Sequence, residues 1–336
     1  MRKMQDPKFI LSKNKALEQY NKIKQAADMI SYSSKTNQDI AKILEKETDC
    51  LFSVHLKNEL KHLKDMSRVI FLAQGWTLSF IEELIKKGIN YFVVDNEQDL
   101  DTLIDFINKN NTKINLQLRL RLKENTIKTE RYFVFGMPSK VINNRIRELR
   151  KNKNIDKLGI HFFRKTQNMS EWNLKYEIAN IIDEDVLDKI DVMNIGGGIP
   201  SVYANTNEDV IRTVFDKIKE FKSFLNEKNI KMIIEPGRFI AAPAAKLVTE
   251  IIAIHENNII VNASVYNTDM DAIIVPVKLL VEHELERGEG APYVIKGSTP
   301  CSMDLFRYRV YLNNPRVGDQ ITFLNAGAYN FASDFC

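Results

Sequence analysis

Two short segments carry the residue types best suited to hold a charged ligand: Asn194-Ile195-Gly196-Gly197-Gly198 and Ile234-Glu235-Pro236-Gly237-Arg238. Three successive glycines remove every Cβ from a stretch of backbone, so its N–H groups can approach an anion closely. The second segment presents one acid and one base, able to hold other parts of the same molecule. A phosphate with a basic heterocycle attached would engage both. Taken singly, the glycines could be a tight strand-to-helix turn, and Glu235 with Arg238 a structural ion pair.

The elements that must position these groups are short apolar or β-branched runs. Eight occur between residues 28 and 238: Met29-Ser33, Leu51-Val54, Val69-Leu72, Tyr91-Val94, Leu116-Leu120, Leu158-Phe162, Val192-Ile195 and Met232-Ile234. Most are separated by segments of helical period. Leu100, Leu103, Ile104 and Ile107 form one stripe, with Asp95 or Asn96 placed to cap it. Val210, Val214, Ile218, Phe221 and Leu225 form another, with Thr206 at the cap and Asp209 three positions later. Strands alternating with helices in this number predict a (β/α)8 barrel. A doubly wound sheet shows the same alternation, and the count of eight favours the barrel.

Active sites of such barrels lie at the C-terminal ends of the strands. In chain order those ends carry Lys35-Thr36-Asn37, Ser53 and His55, Gln74, Asp95, Arg119 or Arg121, His161, the glycines and Glu235. A lone lysine is ordinarily solvated and a lone histidine ordinarily a satisfied core residue. Lys35, however, directly follows the run ending in Ser33-Ser34, which aims it into the barrel mouth. A desolvated lysine can form a Schiff base with an aldehyde. An amine, an anion cradle and an acid together point to pyridoxal 5'-phosphate rather than a nucleotide.

After Arg238 the texture changes. Lys246-His255, Ile259-Tyr266, Ala272-Val281, Tyr293-Lys296 and Gln320-Asn325 read as strands with turn residues between them. The expected division is a barrel over residues 1–240 and an all-β (β-barrel or sandwich) domain over 241–336, with the first twenty-odd residues helical and bordering the second domain. At 336 residues and 44% hydrophobic the chain can fill two cores. A net charge of +4 with interspersed signs gives no nucleic-acid footprint. No run approaches a membrane span, the start lacks a signal-peptide core, and three scattered cysteines form neither a disulfide framework nor a metal site. These features predict a soluble, cytoplasmic protein.

The chain resembles the fold-type III pyridoxal-phosphate decarboxylases of basic amino acids, which include the ornithine, diaminopimelate, arginine and carboxynorspermidine enzymes. The resemblance covers nearly the whole chain. It rests on Tyr32 to Asn37, Gly159-Ile160-His161, Asn194 to Pro200, Glu235 to Arg238, Cys301 to Asp304 and Gly327-Ala328-Tyr329. It implies that Lys35 holds the cofactor as a Schiff base, that His161 stacks on the pyridine ring, and that Glu235 faces the ring nitrogen. Gly196, Gly197, Gly198, Arg238 and Tyr329 would bind the phosphate. Arg119 matches the family's strand-end arginine, with Arg121 as the alternative. Cys301 would enter from the second subunit of a head-to-tail homodimer, and Tyr266 would border the site. The implied reaction is α-decarboxylation, with Cys301 or Lys35 protonating Cα afterwards. An arginine in place of Glu235 would favour racemisation instead.

Three departures concern the substrate. His161 is followed by Phe162-Phe163-Arg164-Lys165, not a small Gly-Ser pair, so Arg164 is expected to meet phosphate or a substrate carboxylate. Gly297 to Asp304 spaces Cys301 and Asp304 one residue closer than usual, which leaves open which of them takes the mobile-loop role. A specificity aspartate expected nine residues after Tyr266 falls in Ile273-Ile274-Val275, with Asp269 and Asp271 out of register. The expectation is an amino acid with an amino-bearing or extended polar side chain. The rival readings are a catalytically silent regulatory relative and an amino-acid racemase.

Overall fold

The computed structural model describes residues 5–122 and 134–330. The chain forms two compact units: one of residues 20–200 and 209–237, the other of residues 5–19, Ser201–Glu208 and 238–330. The second unit takes in the start of the chain and resumes at Arg238. Among the described residues no helix is long and apolar enough to cross a membrane.

Strand β1 (Lys8–Leu11) opens the described chain and belongs to the second unit, and the helix expected over the first twenty-odd residues follows it as Lys13–Lys24. The next eight are β2 (Met29–Ser33), β3 (Leu51–Val54), β4 (Val69–Ala73), β5 (Tyr91–Val94), β6 (Ile114–Arg119), β7 (Ile155–His161), β8 (Val192–Asn194) and β9 (Lys231–Ile234). They close in order into a parallel barrel, which excludes the doubly wound alternative. Closure is made by β2 on β9, with Met29 opposite Ile233 and Ile30 opposite Ile234. Strands enclosed by helices are buried on both faces, which is why most of them read as short apolar runs. Ile70, Tyr91, Val93, Val192 and Ile233 pack together in one buried cluster.

The helices between strands start where polar caps allow. Asn37 accepts from the N–H groups of Asp39 and Ile40 and starts Gln38–Glu47 directly after the Lys35 turn. Asn96, rather than Asp95, caps Glu97–Asn110 by accepting from Asp99 N–H, and that helix buries Leu100, Leu103 and Ile107. Glu208–Glu227 buries Val214, Ile218, Phe221 and Leu225. Each such side chain contributes about 1.5–3 kcal/mol on leaving water.

In the second unit β10 (Ala245–His255), β11 (Asn258–Val261), β12 (Leu280–Val281), β13 (Ala291–Lys296), β14 (Leu305–Leu312) and β15 (Gln320–Leu324) join β1 in a seven-stranded sheet. Its order is β12-β15-β10-β11-β13-β14, with β1 antiparallel to the first half of β10. Two sequence expectations fail here. The run around Tyr266 and the one from Ala272 contain single helical turns, Val265–Thr268 and Asp271–Ile274. Ser264 caps the first turn through Tyr266 N–H, and Asp271 is drawn into an ion pair with Arg238. Strand β14 went unread because Arg307 and Arg309 interrupt its apolar alternation. Arg307 is nonetheless buried, donating to both oxygens of Glu284 and to Leu279 O.

Candidate active site

The polar ends of the barrel strands converge around one amine. Lys35 lies in the turn Ser34–Thr36 that follows β2, and its Nζ is 3.5 Å from His55 Nε2, one residue past β3. Arg119, at the end of β6, donates to Asp95 Oδ1 at 2.7 Å, and Gln74 donates to Asp95 Oδ2 at 2.9 Å. Arg121 is instead fastened to Gly136 O. Thus Arg119 is the arginine held by the acid at the strand ends.

Glu235, just past β9, is buried. Its Oε2 is 3.5 Å from His161 Nε2, an ion-pair distance, and its Oε1 accepts from Asn194 Nδ2 at 2.8 Å. Burial pushes this carboxyl up, but His161, His55 and the Asn194 amide outweigh it and bring it from 4.5 down to about 2. The acid is therefore ionised at any working pH. His55 is held well below its ordinary 6.5, first by burial and then by the Lys35 ammonium. Asn194 does a further task, since its Oδ1 accepts Gly196 N–H at 2.9 Å. One amide thereby joins the acid to the glycine turn. Sequence reading gave Asn194 no site role, although an asparagine between a buried strand and three glycines was a legible signal.

Backbone conformation accounts for the glycines in part. Gly196 and Gly198 take φ of 65° and 93°, and a Cβ at Gly198 would lie 2.4 Å from Lys165 O. A Cβ at Gly237 would collide with Thr36 Oγ1, so this glycine lets the acid-bearing segment pack on the Lys35 turn. The protein's own backbone thus demands small residues here. The turn still offers donors: no hydrogen bond among the described residues uses the amides of Gly197 or Gly198.

Arg164 is buried, paired with Glu177 and 3.6 Å from Glu171 in its own loop and the following helix, while its Nε makes no hydrogen bond among the described residues. The second unit holds the remaining residues. Arg238 donates to both oxygens of Asp271 and, at 2.9 Å, to Tyr203 Oη. It also lies 5.3 Å from the centre of the Tyr329 ring. Tyr329 takes a left-handed φ of 61°. Asp304 is buried and accepts from Val265 N, Thr299 N and Thr299 Oγ1, which organises the 297–304 loop. Cys301 is exposed, with Sγ 2.8 Å from Tyr266 Oη, and that hydrogen bond lowers the thiol below its ordinary value.

An amine and an ionised buried acid at the mouth of a parallel barrel define an enzyme that attaches a carbonyl cofactor. The family model for the pyridoxal-dependent decarboxylase pyridoxal-binding domain matches residues 13–242, and the chain belongs to that family. It is a pyridoxal-phosphate-dependent carboxy-lyase. The chain is 25% identical to Antizyme inhibitor 2 of Xenopus laevis over 342 residues, covering 90% of this chain and 72% of that protein. It is 24% identical to ornithine decarboxylase of Caenorhabditis elegans over 362 residues, covering 98% and 84%. The structure of lysine/ornithine decarboxylase complexed with cadaverine from Vibrio vulnificus matches with a TM-score of 0.77 at 22% identity, covering 98% of this chain and 91% of that one. That likeness establishes the fold.

The residues present fit the cofactor. Both ring nitrogens of His161, the buried Ser34 Oγ and the Gly197 and Gly198 amides make no hydrogen bond among the described residues. These are a flat ring and a set of donors of the kind a pyridine ring and a phosphate would use.

Proposed function

We propose that the protein removes the α-carboxylate, as CO2, from an amino acid with an amino-bearing or extended polar side chain. The observation that carries this reading is the buried, ionised Glu235. Pyridoxal phosphate, when bound, draws the electron pair left at Cα into its protonated ring. Glu235 keeps the proton on the ring nitrogen, which favours loss of CO2 over the reversible proton exchange of a racemase. Lys35 supplies the attachment amine. His161 would pack against the flat face of the ring. Gly196 forms the turn whose Gly197 and Gly198 amides would donate to phosphate. Arg119, oriented by Asp95, fixes the polar edge of the ring.

Cys301 or Lys35 then delivers a proton to Cα. Cys301 is the member of the 301–304 pair suited to this task, because its thiol is exposed and acidified while Asp304 is spent on its loop. Tyr266 holds that thiol and borders the substrate. A homodimer with shared sites is supported by apolar side chains exposed on the second unit, among them Ile274, Met303 and Tyr308. The free thiols of Cys50 and Cys301 suit a reducing, cytoplasmic setting.

The likeness to Antizyme inhibitor 2 favours a second reading, a cofactor-binding protein that regulates without turnover. One experiment separates the two. Cofactor-loaded protein is offered ornithine, lysine, arginine, diaminopimelate and carboxyalkyl-diamines, and CO2 is measured. Release from one of these, with the matching amine formed in equal amount, supports the decarboxylase. No release from any, with cofactor bound, supports the regulatory reading, and Cα deuterium exchange without CO2 identifies a racemase.

A further inference from the structure

The reacting amine has a second imidazole beside it that the reading above leaves without a task. His55 sits at the barrel mouth with 19% of its side chain accessible, and its Nε2 is the atom 3.5 Å from Lys35 Nζ. Its other nitrogen, Nδ1, lies 3.9 Å from Glu59 Oε1. Glu59 is wholly buried, and the same oxygen accepts the N–H groups of His55 and Leu56 at 2.8 and 2.9 Å. This arrangement fixes the backbone that carries the ring. It also favours the tautomer with its proton on Nδ1, toward the acid, leaving the Nε2 lone pair for Lys35.

We infer that His55 is the proton acceptor for Lys35 when the lysine joins its cofactor. This deepens the assignment of Lys35 as the attachment residue and rests on it. An ammonium has no lone pair and cannot attack a carbonyl, so a nearby base decides how fast the amine becomes available. Nζ gives one proton to His55 Nε2, and the freed pair forms the C–N bond to the aldehyde carbon. The C=O π electrons move to oxygen. That oxygen takes back the proton from Nε2 and leaves as water with one further N–H proton, so His55 ends as it began.

The groups facing His55 suit an acceptor. Lys35 comes from the turn after β2, Arg119 from β6, His161 from β7, Glu235 from beyond β9, and Glu59 from the turn following His55 itself. Burial, Lys35, Arg119 and His161 all disfavour a charged imidazole, and Glu235 opposes them. The ring is thus neutral before the transfer, and Glu235 is the facing acid that offsets the cost of the charge it gains.

The test uses the full-length chain stripped of cofactor. Pyridoxal phosphate is added in a stopped-flow instrument, and attachment is followed by absorbance over a range of pH. His55→Gln should slow attachment about 100-fold near neutral pH. The deficit should shrink as the pH is raised and solvent base takes over the task. Binding of 4'-deoxypyridoxine phosphate, which has no aldehyde, should stay within twofold of wild type. Attachment within threefold of wild type overturns the proposal, and so does parallel loss of the analogue, which would mark His55 as structural. Borohydride reduction of wild-type protein serves as the control. A label elsewhere than Lys35 refutes the underlying reading, whereas a label on Lys35 with normal attachment in His55→Gln refutes this inference alone.

Discussion

Replacing Glu235 by Gln tests the acid on which the reaction type depends, and it has two separable consequences. The first is on the fold. A carboxyl brought from 4.5 to about 2 contributes on the order of 3 kcal/mol of stability above pH 4.5. Because the folded value is depressed, that contribution is lost as pH falls from 4.5 toward 2. Glu235→Gln should therefore be less stable than wild type by up to about 3 kcal/mol at pH 7, with the two proteins converging in strong acid. A domain of ordinary stability survives this loss. The second consequence is on chemistry. A hydrogen bond to a charged partner is worth about 1.5–3 kcal/mol, so CO2 release at saturating cofactor should fall roughly 10- to 150-fold. Urea denaturation across pH reads the first, and single-turnover CO2 release reads the second. Glu235→Asp should recover part of the rate. A Glu235→Gln rate within threefold of wild type, on fully loaded enzyme, would refute the role assigned to this acid.

Three further substitutions probe other parts of the account. Gly198→Ala places a Cβ 2.4 Å from Lys165 O at a φ of 93°, and should cost roughly 1–3 kcal/mol in thermal unfolding while weakening cofactor binding in an absorbance titration. Asp269 is buried and pushed well above its ordinary 3.8, first by burial and then by Asp271, so its stability contribution is present below pH 3.8 and lost as pH rises. Asp269→Asn should accordingly raise the melting temperature at pH 8, with the gain vanishing toward pH 4; an unchanged melting temperature at pH 8 contradicts this. Arg164→Leu leaves Glu171 and Glu177 without their cation and should cost about 2 kcal/mol, reduced by the partial exposure of both acids, with KM within twofold. A tenfold rise in KM at unchanged stability would return Arg164 to the substrate.

The barrel was legible because burial writes most of its strands as short runs dominated by apolar and β-branched residues, and each of the eight runs overlaps a strand. Asp95 or Asn96 marked the start of the next helix, and Asn96 is the residue that caps it. The sheet unit was less legible because its local signals yield to long-range charge pairs. Asp271 binds Arg238 and sits in a helical turn where β-branched neighbours suggested a strand, and Arg307 is buried in a strand by Glu284. Within the site, residue types showed where an amine, an acid and glycines must stand. They could not show which charges were already spent. Arg164 is neutralised from Glu177, thirteen positions on, and Asp304 from the backbone of its own loop. His55 was visible at a strand end, but only its distance to Lys35 gives it a task.

The central claim is that Lys35 carries pyridoxal phosphate at the mouth of this barrel. The most direct measurement is reduction of the purified, cofactor-loaded protein with borohydride, followed by mass mapping of the labelled peptide. The account predicts a single phosphopyridoxyl group, on Lys35, with none on Lys35→Ala protein treated in the same way. A label on another lysine, or none on wild type with cofactor bound, would contradict it.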